Sequence, residues 1–271
     1  MEGVPDHLEH PLREWIRRAV TEAVNDGFRN PFEEFAQLLA VRLRLLPVKS
    51  NSGWNPYLVA LISVDRKDLL RVVNCILQLA PDADLDLPWV RPLVLQLRLG
   101  SSAYEVADVD GLRLVRRLDP AIRDHAAKVM AEADTSPGAY LRQAYVAVYG
   151  LEPDPDRAYA DAVRAVEAAA VPVVVPPTAS KPTLGTVLSA LANDLLATTP
   201  SWQLLLPDQT GAPTTVRVLK EMIEVLWHGH RSRHAGGASS RANTQEEAEA
   251  AIALAMTLVY WLSKNVLQRR P

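Results

Sequence analysis

Asp154-Pro-Asp-Arg-Ala-Tyr-Ala-Asp-Ala-Val-Arg-Ala-Val-Glu167 is the stretch that decides the fold. An aspartate ahead of a proline offers a carboxylate to the open N–H groups of a first helical turn, and the proline already has helical φ. Behind them Ala158, Ala162, Val163, Val166 and Ala169 recur at three- and four-residue steps, the spacing of one apolar helix face. The same start signal stands at Asn30-Pro31, Asn55-Pro56, Asp119-Pro120 and Ser136-Pro137, and Glu33 completes a capping-box pairing with Asn30. Asp65 is placed to cap a helix running to Ala80. Thr244 with Glu247 forms a second box ahead of Ala248, Ile252, Ala255, Val259 and Leu262, a helix of roughly six turns. Val216, Leu219, Met222, Ile223, Leu226 and Trp227 mark another helix before it. The sequence therefore predicts a mainly α protein.

One region departs from that pattern. Residues 103–107 and 112–118 flank Asp108-Val109-Asp110-Gly111, and the second run alternates apolar and polar residues, so a β-hairpin is expected near 103–118. The apolar run 85–99 carries Pro88 and Pro92 and reads equally as a buried helix or an irregular segment. Punctuation around 133–138 divides the chain into an N-terminal helical domain, 1–134, and a C-terminal helical bundle, 135–271. Within the second, Tyr140, Leu141, Ala144, Tyr145 and Val148 form a helical pattern closed by Gly150. The run Val171 to Thr183 holds four prolines and is expected to be an extended connector.

Composition sets the context. With 48% hydrophobic and 23% charged residues, the 271-residue chain reads as globular with a substantial core. A single cysteine, Cys75, in an apolar run excludes an intramolecular disulfide framework and fits a buried, inert thiol in a reducing cytoplasmic setting. No signal-peptide pattern opens the chain, and the longest uncharged run, Ala250 to Ser263, is too short to span a bilayer, so no membrane association is expected. A net charge of −3 argues against broad adhesion to nucleic acid through overall charge, so any such contact must be local. Phosphate-loop, dinucleotide-binding, nucleophile-elbow and Cys-x-x-Cys motifs do not occur, and no cofactor is expected.

The densest group of reactive side chains is His228-Gly-His-Arg-Ser-Arg-His234, at the junction between the last two helices. Cations gathered so closely repel one another, and a bound phosphate relieves that repulsion. Attack of a ribose 2′-hydroxyl on phosphorus needs a base titrating near neutrality and cationic donors for the developing charge, which histidine and arginine supply. His234 is the candidate base or leaving-group acid, with His228 or His230 as the second acid–base group. Arg231 and Arg233 are candidate phosphate clamps, and Lys181 is a further candidate contact. Glu167 is a candidate to orient an arginine of the cluster, or a solvated helix-surface glutamate. Two other readings of the cluster stay open: late-helix cations capping free carbonyls, and a histidine metal site, which Gly229 and the neighbouring arginines oppose. Trp54, Trp89 and Trp202 are either stacking platforms for bases or core anchors.

From Tyr140 onward the order of features resembles the C-terminal domain of bacterial abortive-infection proteins in the HEPN superfamily of helical bundles. The matching pieces are Tyr140-Leu-Arg-Gln-Ala-Tyr145, the 154–167 helix, Lys181-Pro-Thr-Leu-Gly185, Arg233-His234-Ala-Gly236 and the alanine-rich helix from Glu246. The resemblance implies a phage-defence or toxin-like effector that binds RNA, cleaves it without metal in its active members, and pairs as a homodimer through the C-terminal bundle. Active members place an arginine four to six intervening residues before a histidine. Here Gly229, His228 and Trp227 occupy the corresponding positions before His234, while Arg231 and Arg233 lie closer to it. That departure leaves a catalytically silent binding or scaffold protein as the alternative.

Overall fold

The computed structural model describes residues 4–22, 31–49, 53–80, 84–133, 135–177, 182–230 and 241–270. The chain divides into two compact units, residues 1–117 with 149–151, and residues 118–148 with 152–271. The boundary expected at 134/135 falls inside the second unit. Among the described residues the protein is mainly helical, with two small antiparallel sheets.

The first unit holds α1 (Asp6–Glu22), α2 (Pro31–Leu43), α3 (Pro56–Ile62), α4 (Leu69–Leu79), α5 (Val90–Leu99), β1 (Tyr104–Asp108) and β2 (Leu112–Arg116). α1 packs against all four other helices, while β1 lies on α5 and β2 on α4. Leu12, Ile16, Leu61, Ile76, Leu93 and Leu97 lose all contact with solvent in one continuous core, and each such burial is worth about 1.5–3 kcal/mol. Asn55 caps α3 as the sequence requires, its Oδ1 accepting from the N–H groups of Tyr57 and Leu58. Asp65 behaves differently: it precedes a short 3₁₀ turn, Arg66–Asp68, accepts no capping hydrogen bond, and α4 begins only at Leu69. The hairpin forms with Tyr104 opposite Arg116 and Asp108 opposite Leu112, and Asp110 and Gly111 take the positive φ its turn needs. Asn74 accepts from the N–H of Leu114 at 2.8 Å and Arg117 donates to the carbonyls of Leu97, Ser102 and Tyr104, which stitches the hairpin to its helices. The open reading of 85–99 resolves as a helix from Val90, with Pro92 in its first turn, where no intrahelical N–H is required. Cys75 is buried, and burial pushes its thiol up to about 11.

The second unit holds α6 (Pro120–Glu132), most of α7 (Thr135–Tyr149), α8 (Pro155–Val174), α9 (Leu184–Leu196), β3 (Trp202–Leu204), α10 (Arg217–Gly229), α11 (Gln245–Ser263) and β4 (Leu267–Arg269). α8 is the central helix, packed along α11 and against α9 and α10, while α10 also meets α9 and α11. Buried Ala158, Ala162 and Ala165 on α8 and Ala248, Ala251 and Ala255 on α11 supply the small side chains that let two helix axes come close. Asp119 and Asp154 cap α6 and α8, and the Thr244–Glu247 box makes both of its hydrogen bonds. α11 spans 19 residues, nearer five turns than six.

Two expectations need correction. α8 continues through Pro172 to Val174, because a proline in the last turn removes one hydrogen bond while Val175 N–H still reaches the carbonyl of Val171. α7 begins at Thr135, so Ser136 and Pro137 lie in its first turn instead of ahead of it. The β3–β4 pair, Trp202 opposite Arg269, has no counterpart in the sequence reading. The chain entering β3 is fixed by buried Asp194, which accepts from the N–H groups of Ser201 and Trp202. No helix among the described residues is long and apolar enough to cross a membrane.

Candidate functional site

The last turn of α10 carries His228 and Gly229 and ends at His230. Three residues from the neighbouring helix starts hold it. Tyr159, in the second turn of α8, donates its hydroxyl to the carbonyl of Leu226 at 3.1 Å. Its ring stacks on the imidazole of His230, with centroids 5.5 Å apart and planes 10° from parallel. Asn243, just before α11, donates its Nδ2 to the carbonyl of Gly229 at 3.1 Å, while its own N–H reaches Oδ1 of Asp156 at 2.8 Å. The first turn of α8, the end of α10 and the start of α11 thus meet at one polar junction.

Gly229 is a steric requirement of that junction. A Cβ built on it would overlap the Tyr159 hydroxyl, so any side chain there would displace the ring that stacks on His230. At the returning end of the chain, Arg241 pairs with Glu247, whose Oε2 also accepts from the N–H of Thr244. Gln245 donates to the carbonyl of Val148 at 2.8 Å and to Glu249, fixing the first turn of α11 against α7. Residues 230 and 241 therefore leave and rejoin the bundle at ends that a Gly229–Asn243 hydrogen bond ties together.

His228 is exposed on α10 one turn after Glu224. The Glu224 carboxyl is held below its usual range, first by its hydrogen bond from Lys220, with the Lys220 and His228 charges adding to the effect. Arg231, Arg233 and His234 lie outside the described residues, as does Lys181. Of the expected cluster the described residues include His228, exposed on α10, and His230, stacked on Tyr159, with Asn243 and Asp156 at the same junction, a grouping with no signal in the sequence. Glu167 accepts the N–H of Leu184 at 2.7 Å and so holds the first turn of α9. Among the described residues no set of three His, Cys, Asp or Glu side chains is grouped as a metal site would require.

The tryptophans divide. Trp89 is buried and its carbonyl accepts from the Trp15 indole at 2.7 Å, which makes it a core anchor. Trp54 is exposed with the Arg17 guanidinium 5.8 Å from its ring, and Arg269 covers Trp202 at 4.4 Å. A second polar feature lies on α8, where buried Asp161 pairs with Arg164 at 2.9 Å and Arg157 at 3.6 Å. Both guanidiniums remain largely in water, so the aspartate orients two surface cations.

No family model, curated protein or solved structure matches this chain. The fold and the junction define a helical protein with a fixed polar corner from which a His- and Arg-rich segment departs.

Proposed function

We propose that the 228–234 segment is a phosphate-contacting site for RNA, in a defence or growth-arrest effector of HEPN-like type that acts in the cytoplasm as a homodimer through its C-terminal bundle. One observation carries this reading: two carbonyls at the α10 end are served by side chains at neighbouring helix starts. Leu226 O receives the Tyr159 hydroxyl and Gly229 O the Asn243 amide, so these two carbonyls need none of the cations that follow. Exposed His228 stands at the edge of the corner, with Arg231, Arg233 and His234 next in sequence.

Where the site cleaves, a histidine removes the proton from a ribose 2′-hydroxyl as that oxygen bonds to phosphorus. The bond from phosphorus to the 5′-oxygen breaks, and a second histidine delivers the proton to the leaving oxygen. The products are a 2′,3′-cyclic phosphate and a 5′-hydroxyl, with arginine donors on the phosphate oxygens. His234 and either His228 or His230 fill the two proton roles. The second reading is binding without cleavage, favoured by the absence of an arginine at the expected distance before His234.

Purified protein incubated with labelled tRNA and total RNA in EDTA tests both, beside His234→Ala and an Arg231→Ala/Arg233→Ala double variant. Cleavage by the wild type alone establishes a metal-independent ribonuclease at this segment. Retention of intact RNA that the arginine variant loses establishes the binding reading, and no retention by any of them rejects RNA as the ligand.

A further inference from the structure

α2 and the strap that follows it hold large apolar side chains out in water. Leu38 and Val41 lie one turn apart on the outer face of α2, and Leu46 and Val48 follow on the strap; Val41 is 67% exposed and Leu46 83%. The strap is not slack. Arg44 takes a positive φ of 57° and the N–H of Leu45 reaches the carbonyl of Ala40 at 2.8 Å, which closes the helix, while the N–H of Val48 reaches the carbonyl of Pro56 at 3.0 Å. Leu45 is turned in against the core, and Leu46, the next residue between the same two anchors, is turned out. Trp54, two residues before Pro56, is also exposed.

The charges beside these side chains have one sign. Between Glu34 and Asp65 the sequence has no acidic residue, and its cations there are Arg42, Arg44 and Lys49. All three are exposed, and none of their side chains makes an ion pair or a hydrogen bond among the described residues. By contrast Arg13, Arg66 and Arg91 of the same unit pair with Glu9, Asp6 and Asp86. The carboxylates of α2, Glu33 and Glu34, stand in its first turn, at the opposite end from the strap.

We propose that this surface docks on an anionic lipid bilayer, with Val41 and Leu46 entering the interface and Arg42, Arg44 and Lys49 meeting the headgroup phosphates. Three features select that occupant. A side chain exposed over two thirds of its surface stands clear of its neighbours, as entry between headgroups requires, whereas a docked peptide helix needs a groove for its anchors. Apart from Trp54 the exposed side chains are aliphatic and offer bases nothing to stack on, and tryptophan is also a residue that settles at bilayer interfaces. Unpaired cations beside apolar side chains complement a surface that is negative outside and apolar within, where each cation is worth about fivefold in binding. Lying on a bilayer needs no spanning run, so the lack of one, on which the expectation of no membrane association rests, does not oppose it.

Bilayer docking through the first unit is independent of RNA binding at 228–234. Flotation of the full chain with vesicles of phosphatidylcholine alone, and of phosphatidylcholine with one-third phosphatidylglycerol, tests it. The wild type is expected to float with the anionic vesicles and to stay behind with the neutral ones. Leu46→Asp is expected to weaken binding at least about tenfold, and Arg42→Gln/Arg44→Gln/Lys49→Gln on the order of 100-fold. Arg91→Gln, which removes a paired cation of the same unit, is expected to change it less than about twofold. All these side chains stand in water, so thermal melts are expected to match the wild type's and to set aside loss of folding. A wild type that does not float, floats equally with neutral vesicles, or is undisturbed by either of the first two variants overturns the proposal. So does a wild type that ignores vesicles but is retained by single-stranded RNA or by an acidic amphipathic peptide and released by the triple variant, which gives the surface to that partner.

Discussion

The ends of α5 and α10 pose the same problem and solve it with different residues. Each closes beside a glycine against which a side chain from another helix is pressed, Leu8 on Gly100 and Tyr159 on Gly229. Each has a histidine at hand. At the end of α5 the histidine is consumed, because His7 donates its Nε2 to the carbonyl of Gly100 at 3.1 Å. At the end of α10 a tyrosine and an asparagine serve the carbonyls of Leu226 and Gly229, and His228 is left exposed. A histidine near a helix end is thus structural or available according to what else reaches the carbonyls, which the histidine's own position in sequence does not reveal.

The largest expected effect tests the α10 end at its tightest point. Gly229→Ala must push Tyr159 away, losing its hydrogen bond to Leu226 and its stack on His230, and is expected to destabilise by about 3 kcal/mol. Gly100→Ala overlaps the Cγ and both methyls of Leu8, but no side-chain hydrogen bond or ring stack is lost as the leucine shifts, so about half that loss is expected. Thermal melts of the two variants compare the corners directly; equal losses would mean that the Tyr159 contact is no tighter than a leucine contact.

Next comes Asn243→Leu. It removes the buried amide that serves Gly229 O and leaves that half-buried carbonyl without this donor, at an expected cost of about 2 kcal/mol. Tyr159→Phe keeps the ring and its stack but drops one hydroxyl hydrogen bond, so about 1 kcal/mol is expected. Urea unfolding midpoints should rank Asn243→Leu below Tyr159→Phe, and a reversal would place the weight of the corner on the tyrosine hydroxyl.

How much of this was legible follows the range of each interaction. The caps at Asn55, Asp119, Asp154 and Thr244 lie within three residues of the N–H groups they accept, so residue type and spacing sufficed. Asp65 has the same local look, but a 3₁₀ turn intervenes, and the packing of α4 sets where the α-helix begins. β3 and β4 have three residues each and lie more than sixty positions apart, too short for alternation and too distant for a hairpin signal. At the candidate site the histidine density was plain in the sequence. The need for Gly229 was not, because the atom that forbids a side chain there belongs to Tyr159, 70 residues earlier.

The smallest expected change in stability is also the most discriminating. His228→Ala removes an exposed ring that acts electrostatically on the Glu224 carboxylate, and should cost less than about 0.5 kcal/mol. His7→Ala removes a hydrogen bond that closes α5 and should cost about 1 kcal/mol. RNA retention is expected to order the two variants the other way, weakened by His228→Ala and untouched by His7→Ala. That crossing is the signature of one histidine spent on structure and one kept for a ligand. If His228→Ala loses stability like His7→Ala and binds RNA like the wild type, the two helix ends are alike after all, and the cations beyond α10 must be explained without a phosphate.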